Sequence, residues 1–160
     1  MKEILEILEQ NARVTPEQIS TMLDVPVGDV EKAIRQAEKD GTVVKYKAIV
    51  DWSRLGDEQI LALIEVRVTP QRDVGFDAIA ERIYQFPQVY SAYLVSGTYD
   101  LAILVKGRSV HEISSFVTEK LAPLETVQST VTHFILRTYK ESGEVFKPSV
   151  EEKRRLPITP

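Results

Sequence analysis

Apolar positions along the chain fall into two textures. Up to about residue 40 they recur at helical spacing, and from residue 60 to 140 they alternate between strand and helix periods. Ile4, Leu5, Ile7 and Leu8 give a first helix one apolar stripe, which Asn11-Ala12-Arg13-Val14 interrupts. Thr15-Pro16-Glu17-Gln18 opens a second helix. Thr15 can cap it, Pro16 suits the first turn, and Gln18 holds the reciprocal position of a capping box. Ile19, Met22 and Leu23 are its predicted buried side. Asp24-Val25-Pro26 ends it, because a residue before proline is pushed out of the helical region. A third helix is predicted from about Val27, with Val30, Ala33, Ile34 and Ala37 inward and Gly41 as its stop. Val43 to Val50 reads as a strand, with Tyr46, Ala48 and Val50 on one face and Lys45 and Lys47 on the other. Helix, turn, helix and a Lys-bearing strand together predict a winged helix-turn-helix over residues 1–51, followed by a linker over 52–59.

The second part predicts β-α-β-β-α-β over residues 60–140. Ile60, Ala62, Ile64, Val66 and Val68 are every second residue of a strand. Phe76, Ile79, Ala80 and Ile83 form a helical stripe closed by Phe86-Pro87. Val89 to Val95 and Leu101 to Val105 are predicted to pair as a hairpin across Ser96-Gly97-Thr98-Tyr99-Asp100. Ser109-Val110-His111-Glu112 opens a second helix with Val110, Ile113, Val117 and Leu121 inward, and Val127 to about Tyr139 is the last strand. The fold class is therefore α+β: an N-terminal winged helix-turn-helix and a C-terminal ferredoxin-like domain, with both helices on one face of a four-stranded antiparallel sheet. The other face would carry Leu61 and Leu63, and the strand at 89–95 is apolar on both sides, with Tyr90, Ala92 and Leu94 opposing Val89, Tyr93 and Val95. A strand apolar on both faces is buried on both faces, so a second subunit is expected to cover the open one. Glu141 to Pro160 lacks periodicity and reads as a tail.

Composition narrows the chemistry. The 160 residues contain no Cys and two His, His111 and His133, which excludes disulfides, thiolate sites and a His-rich metal site. No nucleophile–base pair, Gly-rich phosphate loop or metal-ligand spacing stands out, and no cofactor is implied. No signal peptide or long apolar span is visible, so a cytoplasmic protein without membrane contact is expected. The formal net charge is −4, and residues 1–51 hold 7 basic and 10 acidic residues. The predicted recognition helix carries Asp29, Glu31 and Glu38 beside its cations. Arg35 and Gln36 are candidates to read base edges, and Lys32, Lys39, Lys45 and Lys47 to meet phosphates. The Ser96–Asp100 turn is a candidate amino-acid site. Its backbone N–H groups suit a carboxylate, Gly97 allows close approach or a positive φ, and Asp100 suits an ammonium. Alternatively, it is a hairpin turn whose Asp caps its own backbone.

Several stretches together resemble the Lrp/AsnC family of transcription regulators over roughly residues 1–140. They are Asn11-Ala12-Arg13-Val14-Thr15, Gly41 followed by Val43, Tyr46 and Ala48, and Leu94-Val95-Ser96-Gly97-Thr98-Tyr99-Asp100-Leu101. The last is similar to that family's β-turn signature of Gly, any residue, an aromatic and Asp. The resemblance implies a RAM/AsnC-type second domain that senses an amino acid. It implies homodimers that assemble further, often to octamers, and double-stranded operator DNA as partner. Carried over, Ser96, Gly97, Thr98, Tyr99 and Asp100 become effector-site residues, with Ser129, Thr130 and Thr132 beside them. The recognition helix departs from the family: Pro26 stands near its cap, Gly28 and Asp29 open it, and Glu31 and Ala33 replace polar or Arg residues. DNA binding is therefore expected to be weak per half-site, salt-sensitive and dependent on assembly. An effector-binding or oligomerisation module with weakened or lost DNA binding is the alternative. An enzyme resembling the sirohaem decarboxylases, which use pocket His and Arg residues, is the remaining one.

Overall fold

In this computed structural model, residues 1–57, 59–69 and 75–146 are described. They form two compact units that divide at Ile49/Val50.

The first unit contains α1 (Lys2–Gln10), α2 (Pro16–Leu23) and α3 (Val27–Lys39). Ile4, Leu8, Ile19 and Val30 are buried together, with Leu5, Ile7, Val14, Leu23, Ala33 and Ile34 packed around them. The capping box at α2 is complete: Gln18 N donates to Thr15 Oγ1, and Thr15 N donates to Gln18 Oε1. Met22, expected inside, is 63% exposed. The inward side of α2 runs through Pro16, Ile19, Ser20 and Leu23, and Met22 falls on its flank. The helix ends at Asp24 in the left-handed region (φ 54), a conformation that Asp tolerates better than most residues, so it stops one residue before the proline rule requires. The Ser20 hydroxyl then closes the turn by donating to Val25 O at 2.6 Å.

Pro26 precedes α3 without a side-chain cap, and Gly41 follows it at φ 77. The strand expected over Val43–Val50 is not formed. A strand exists only by pairing its N–H and C=O groups, and no described segment pairs with this one. It is tied back by Val43 N donating to Ala37 O and by the Tyr46 hydroxyl donating to Glu38 Oε1 at 3.0 Å.

The second unit begins with a single 3₁₀ turn, Trp52–Leu55, inside the expected linker and ended by Gly56 at φ 71. Then come β1 (Ile60–Val68), α4 (Asp77–Tyr84), β2 (Val89–Leu94), β3 (Leu101–Gly107), α5 (Val110–Phe116, continuing as a π turn to Leu121) and β4 (Val127–Ile135). The sheet order is β2-β3-β1-β4, all antiparallel. Ala62, Ile64, Val66, Val68, Leu101, Ile103 and Val105 form its buried face, packed on Ile79, Ile83, Ile113, Phe116 and Leu121 of the helices.

Ser109 caps α5 by accepting from Glu112 N, but Glu112 Oε2 returns to Arg108 N rather than to the cap residue. Val110, expected inside, is 51% exposed. Ile113 and Phe116 are the buried pair of α5, which turns the inward direction away from Val110.

Strand β4 stops at Ile135, short of Tyr139. Lys140–Glu141 (β5) and Glu144–Val145 (β6) then make a small hairpin across Ser142 and Gly143, both with positive φ, as hairpin turns favour. The start of the expected tail is therefore paired; its remainder, including Lys153-Arg154-Arg155, lies outside the described residues.

Directly opposed residues of antiparallel strands share a face. The face without helices therefore carries Leu61, Leu63, Glu65 and Arg67 of β1, with Ala102, Leu104 and Lys106 of β3. From β4 it takes Ser129, Val131, His133 and Ile135. A bulge between Val89 and Ser91 changes the phase expected for β2. Ala92 joins Val89 against the core, Ser91 and Tyr93 take the open face, and Leu94 falls on the helix side while remaining 60% exposed.

Candidate functional site

Two separate groups of candidate residues can be placed, one in each unit. On α3, Lys32, Arg35, Gln36 and Lys39 are all exposed. At 100° per residue, Lys32, Arg35 and Lys39 lie opposite the buried Val30 and Ala37, with Gly28 in line ahead of them. Arg35 Nη1 lies 3.4 Å from Glu31 Oε2, so its guanidinium is shared with a carboxylate one turn earlier. Lys45 and Lys47 are exposed and flank Tyr46, whose bond to Glu38 fastens them beside the C-terminal half of α3. Burial, and then the Glu38 carboxylate that accepts its proton, push the Tyr46 phenol above its ordinary range. At the corner between α3 and this segment, the Thr42 hydroxyl and then its N–H hold the Asp40 carboxyl below its usual value.

In the second unit the candidate turn joins β2 to β3 and is laced to β1. Asp100 N donates to Val66 O at 3.1 Å, and Val68 N donates to Asp100 Oδ2 at 2.9 Å. The Arg67 guanidinium donates to Thr98 O. Asp100 thus uses one oxygen to hold a neighbouring strand, not its own turn. Gly97 does not take a positive φ; its Cα faces open space, since a Cβ there would meet nothing within 4 Å. Ser96, Gly97 and Thr98 are exposed, and Tyr99 and Asp100 half-buried.

The three β4 candidates divide between faces. Ser129 opposes Arg67 on the open face. Thr130 and Thr132 oppose Val66 and Ile64 and therefore face the helices, away from it. Their adjacency in sequence hid this, because neighbouring strand residues point to opposite faces. Arg67, beside the turn, carries no local motif; its one signal in the sequence is parity, a cation in phase with Leu61, Leu63 and Glu65.

His133 Nε2 lies 3.1 Å from Glu65 Oε1 on the open face. His111 is exposed on α5, on the other side of the sheet, so the two His do not meet in one pocket. Among the described residues, no group of three or more His, Asp or Glu side chains is placed to hold a metal ion, and no helix is long and apolar enough to cross a membrane.

Known proteins match both units. Residues 61–145 match the model of the Lrp/AsnC ligand binding domain, and residues 1–44 that of a winged helix-turn-helix DNA-binding domain. The uncharacterized HTH-type transcriptional regulator YugG of Bacillus subtilis is 46% identical over 153 residues, spanning 95% of this chain and 92% of its own length. The structure of AsnC from E. coli superposes with a TM-score of 0.68 at 21% identity, over 92% of this chain and 95% of that one. The transcriptional regulator NMB0573 of Neisseria meningitidis, solved as an L-Met complex, gives a TM-score of 0.70 at 23% identity, over 87% and 89%. A family model spanning more than half the chain and a relative this similar over nearly all of it agree: the chain belongs to the Lrp/AsnC family of helix-turn-helix transcriptional regulators.

Proposed function

We propose that this regulator binds operator DNA through α3 and the segment after it, and that a free amino acid bound at the Ser96–Asp100 turn tunes that binding. Arg35 and Gln36 read base edges, while Lys32, Lys39, Lys45 and Lys47 meet phosphates. The observation that carries this reading is the exposed cationic ridge Lys32–Arg35–Lys39 on the side of α3 opposite its buried Val30 and Ala37. The L-Met complex of NMB0573 supports the effector class. The chain works as a cytoplasmic homodimer without catalytic activity, its protomers joined through the open sheet face and its dimers assembling further, to an octamer. Domain limits of 1–51, 52–59 and 60–140 serve this division of labour. Mobility-shift titrations with duplexes from upstream of its own gene test it. Wild-type protein retards at least one fragment at low salt, and the Lys32→Ala/Arg35→Ala/Lys39→Ala variant retards none; wild type that retards no fragment overturns the reading.

A second reading, an effector module with little DNA affinity, is favoured by the Arg35–Glu31 pair and the acidic balance of the first 51 residues. Stabilisation by an amino acid without retardation of any duplex selects it.

A further inference from the structure

Glu38 is a carboxylate beside a surface that has to meet phosphates. It follows Arg35 by three residues and Glu31 by seven, which puts it on the flank of the Lys32–Arg35–Lys39 ridge. It is exposed, so the core does not require it. Its Oε1 accepts the Tyr46 hydroxyl at 3.0 Å, across eight residues of sequence.

That bond acts on a segment without a strand partner among the described residues. The chain leaves α3 with Val43 N donating to Ala37 O, and Tyr46 brings it back to the same helix. From Val44 to Val50 every residue is exposed, and Lys45 and Lys47 stand on either side of Tyr46. Unpaired backbone and long side chains lose much freedom when they are ordered on a ligand. A hydroxyl bonded to an ionised acceptor is a stronger tie than a neutral pair and removes part of that freedom in advance. Burial and the Glu38 carboxylate push the Tyr46 phenol above its ordinary range, so it remains the donor at neutral pH. The two lysines also bring to this flank as much positive charge as Glu31 and Glu38 bring negative.

We propose that Tyr46 and Glu38 are positioning residues for DNA binding: their hydrogen bond sets Lys45 and Lys47 beside α3 as a second phosphate contact, so that Glu38 raises affinity although it is an anion. The proposal rests on α3 being the helix that meets DNA, and it adds the two residues on which the neighbouring contact depends. A Glu38 that only repelled phosphate would behave in the opposite way, and any substitution removing its charge would tighten binding.

The test is fluorescence anisotropy of the full chain over a salt series, with a duplex from upstream of its own gene and an unrelated duplex of equal length. Glu38→Gln removes the charge but keeps an acceptor, and is expected to bind both duplexes at least as tightly as wild type. Glu38→Ala removes the same charge and the acceptor, and is expected to bind both about fivefold more weakly than Glu38→Gln. Tyr46→Phe keeps the ring and lowers the slope of log affinity against log salt by at least about 0.9. Lys45→Ala/Lys47→Ala lowers it by about 1.8, and adding Tyr46→Phe to that pair lowers it no further, since a residue that acts through the lysines then has nothing to act on. A merely structural Tyr46 would shift the denaturant midpoint and leave the slope alone. Glu38→Ala binding as tightly as Glu38→Gln, or a wild-type slope in Tyr46→Phe, overturns the positioning role and leaves α3 as the DNA-binding helix. Wild type that binds neither duplex at low salt overturns both.

Discussion

The carboxylate of Asp100 accepts a hydrogen bond from the backbone N–H of Val68 at 2.9 Å, across 32 residues of sequence. The same side chain is therefore asked to hold a strand and to face a ligand, and the two tasks are separable by substitution. Asp100→Ala leaves the partly buried Val68 N–H without an acceptor and is expected to cost about 1–3 kcal/mol. Asp100→Asn retains an acceptor and costs less, yet removes the charge that an ammonium needs. Urea unfolding ranks the two variants, and amino-acid titration shows loss of binding in both. Asp100→Asn with wild-type effector affinity would remove Asp100 from the site.

Assembly through the open face predicts a sharp effect at its centre. Leu63 sits there between Leu104 and His133. Leu63→Glu puts a carboxylate beside Glu65, on a face that a second copy is proposed to cover. Burying an unpaired charge is costly, so the dimer separates. Sedimentation velocity is expected to show mass falling to that of one chain, with the circular dichroism spectrum unchanged.

Gly107 ends β3 against α5, and a Cβ there would lie 2.8 Å from Ile113 Cγ1. Ile113 is fully buried, so it has little room to give. Gly107→Ala is expected to destabilise the second unit by about 1–3 kcal/mol, read from denaturant midpoints, as overpacking does elsewhere.

On α3 the cations should separate by salt dependence. Lys32→Ala and Lys39→Ala each lower the slope of log affinity against log salt by about 0.9, the share of one phosphate contact. Glu31→Gln frees Arg35 from its ion pair and removes a charge that repels phosphate, and is expected to raise affinity at least about twofold. Fluorescence anisotropy over a salt series checks all three.

Asp40 gives a pH signature. Its carboxyl is held below the ordinary value by the Thr42 hydroxyl and then the Thr42 N–H. A depressed folded value means the carboxylate stabilises the fold at neutral pH and stops doing so as pH falls through that value. The stability gap between wild type and Asp40→Ala should therefore be present at about pH 7 and shrink below about pH 4. Denaturant midpoints at both values measure it.

Much of this architecture was legible because its signals are local. Ile60, Ala62, Ile64, Val66 and Val68 alternate without a fault, and Thr15 with Gln18 spells out its cap within four residues. What escaped depends on partners distant in sequence or on a change of phase. The bulge at Tyr90 moved Ala92 to the core side, and no pattern of residues announces a bulge. Thr130 and Thr132 read as companions of Ser129 only until β1 fixes their face. Val43–Val50 has strand-like alternation but no partner to pair with among the described residues. Arg67 could be placed beside the turn only after Thr98 and Asp100 had been brought to it from the far end of a hairpin.

The central claim joins the two units: an amino acid at the second changes DNA binding by the first. Coupling between two sites typically amounts to 5- to 150-fold in affinity. The direct measurement selects duplexes from a random pool with the full chain. It then titrates the enriched sequence by anisotropy with and without each of the twenty amino acids. The account predicts an enriched two-fold-symmetric sequence whose Kd shifts at least about fivefold with one or more of them. Failure to enrich any sequence at low salt, or a Kd that no amino acid moves, would contradict it.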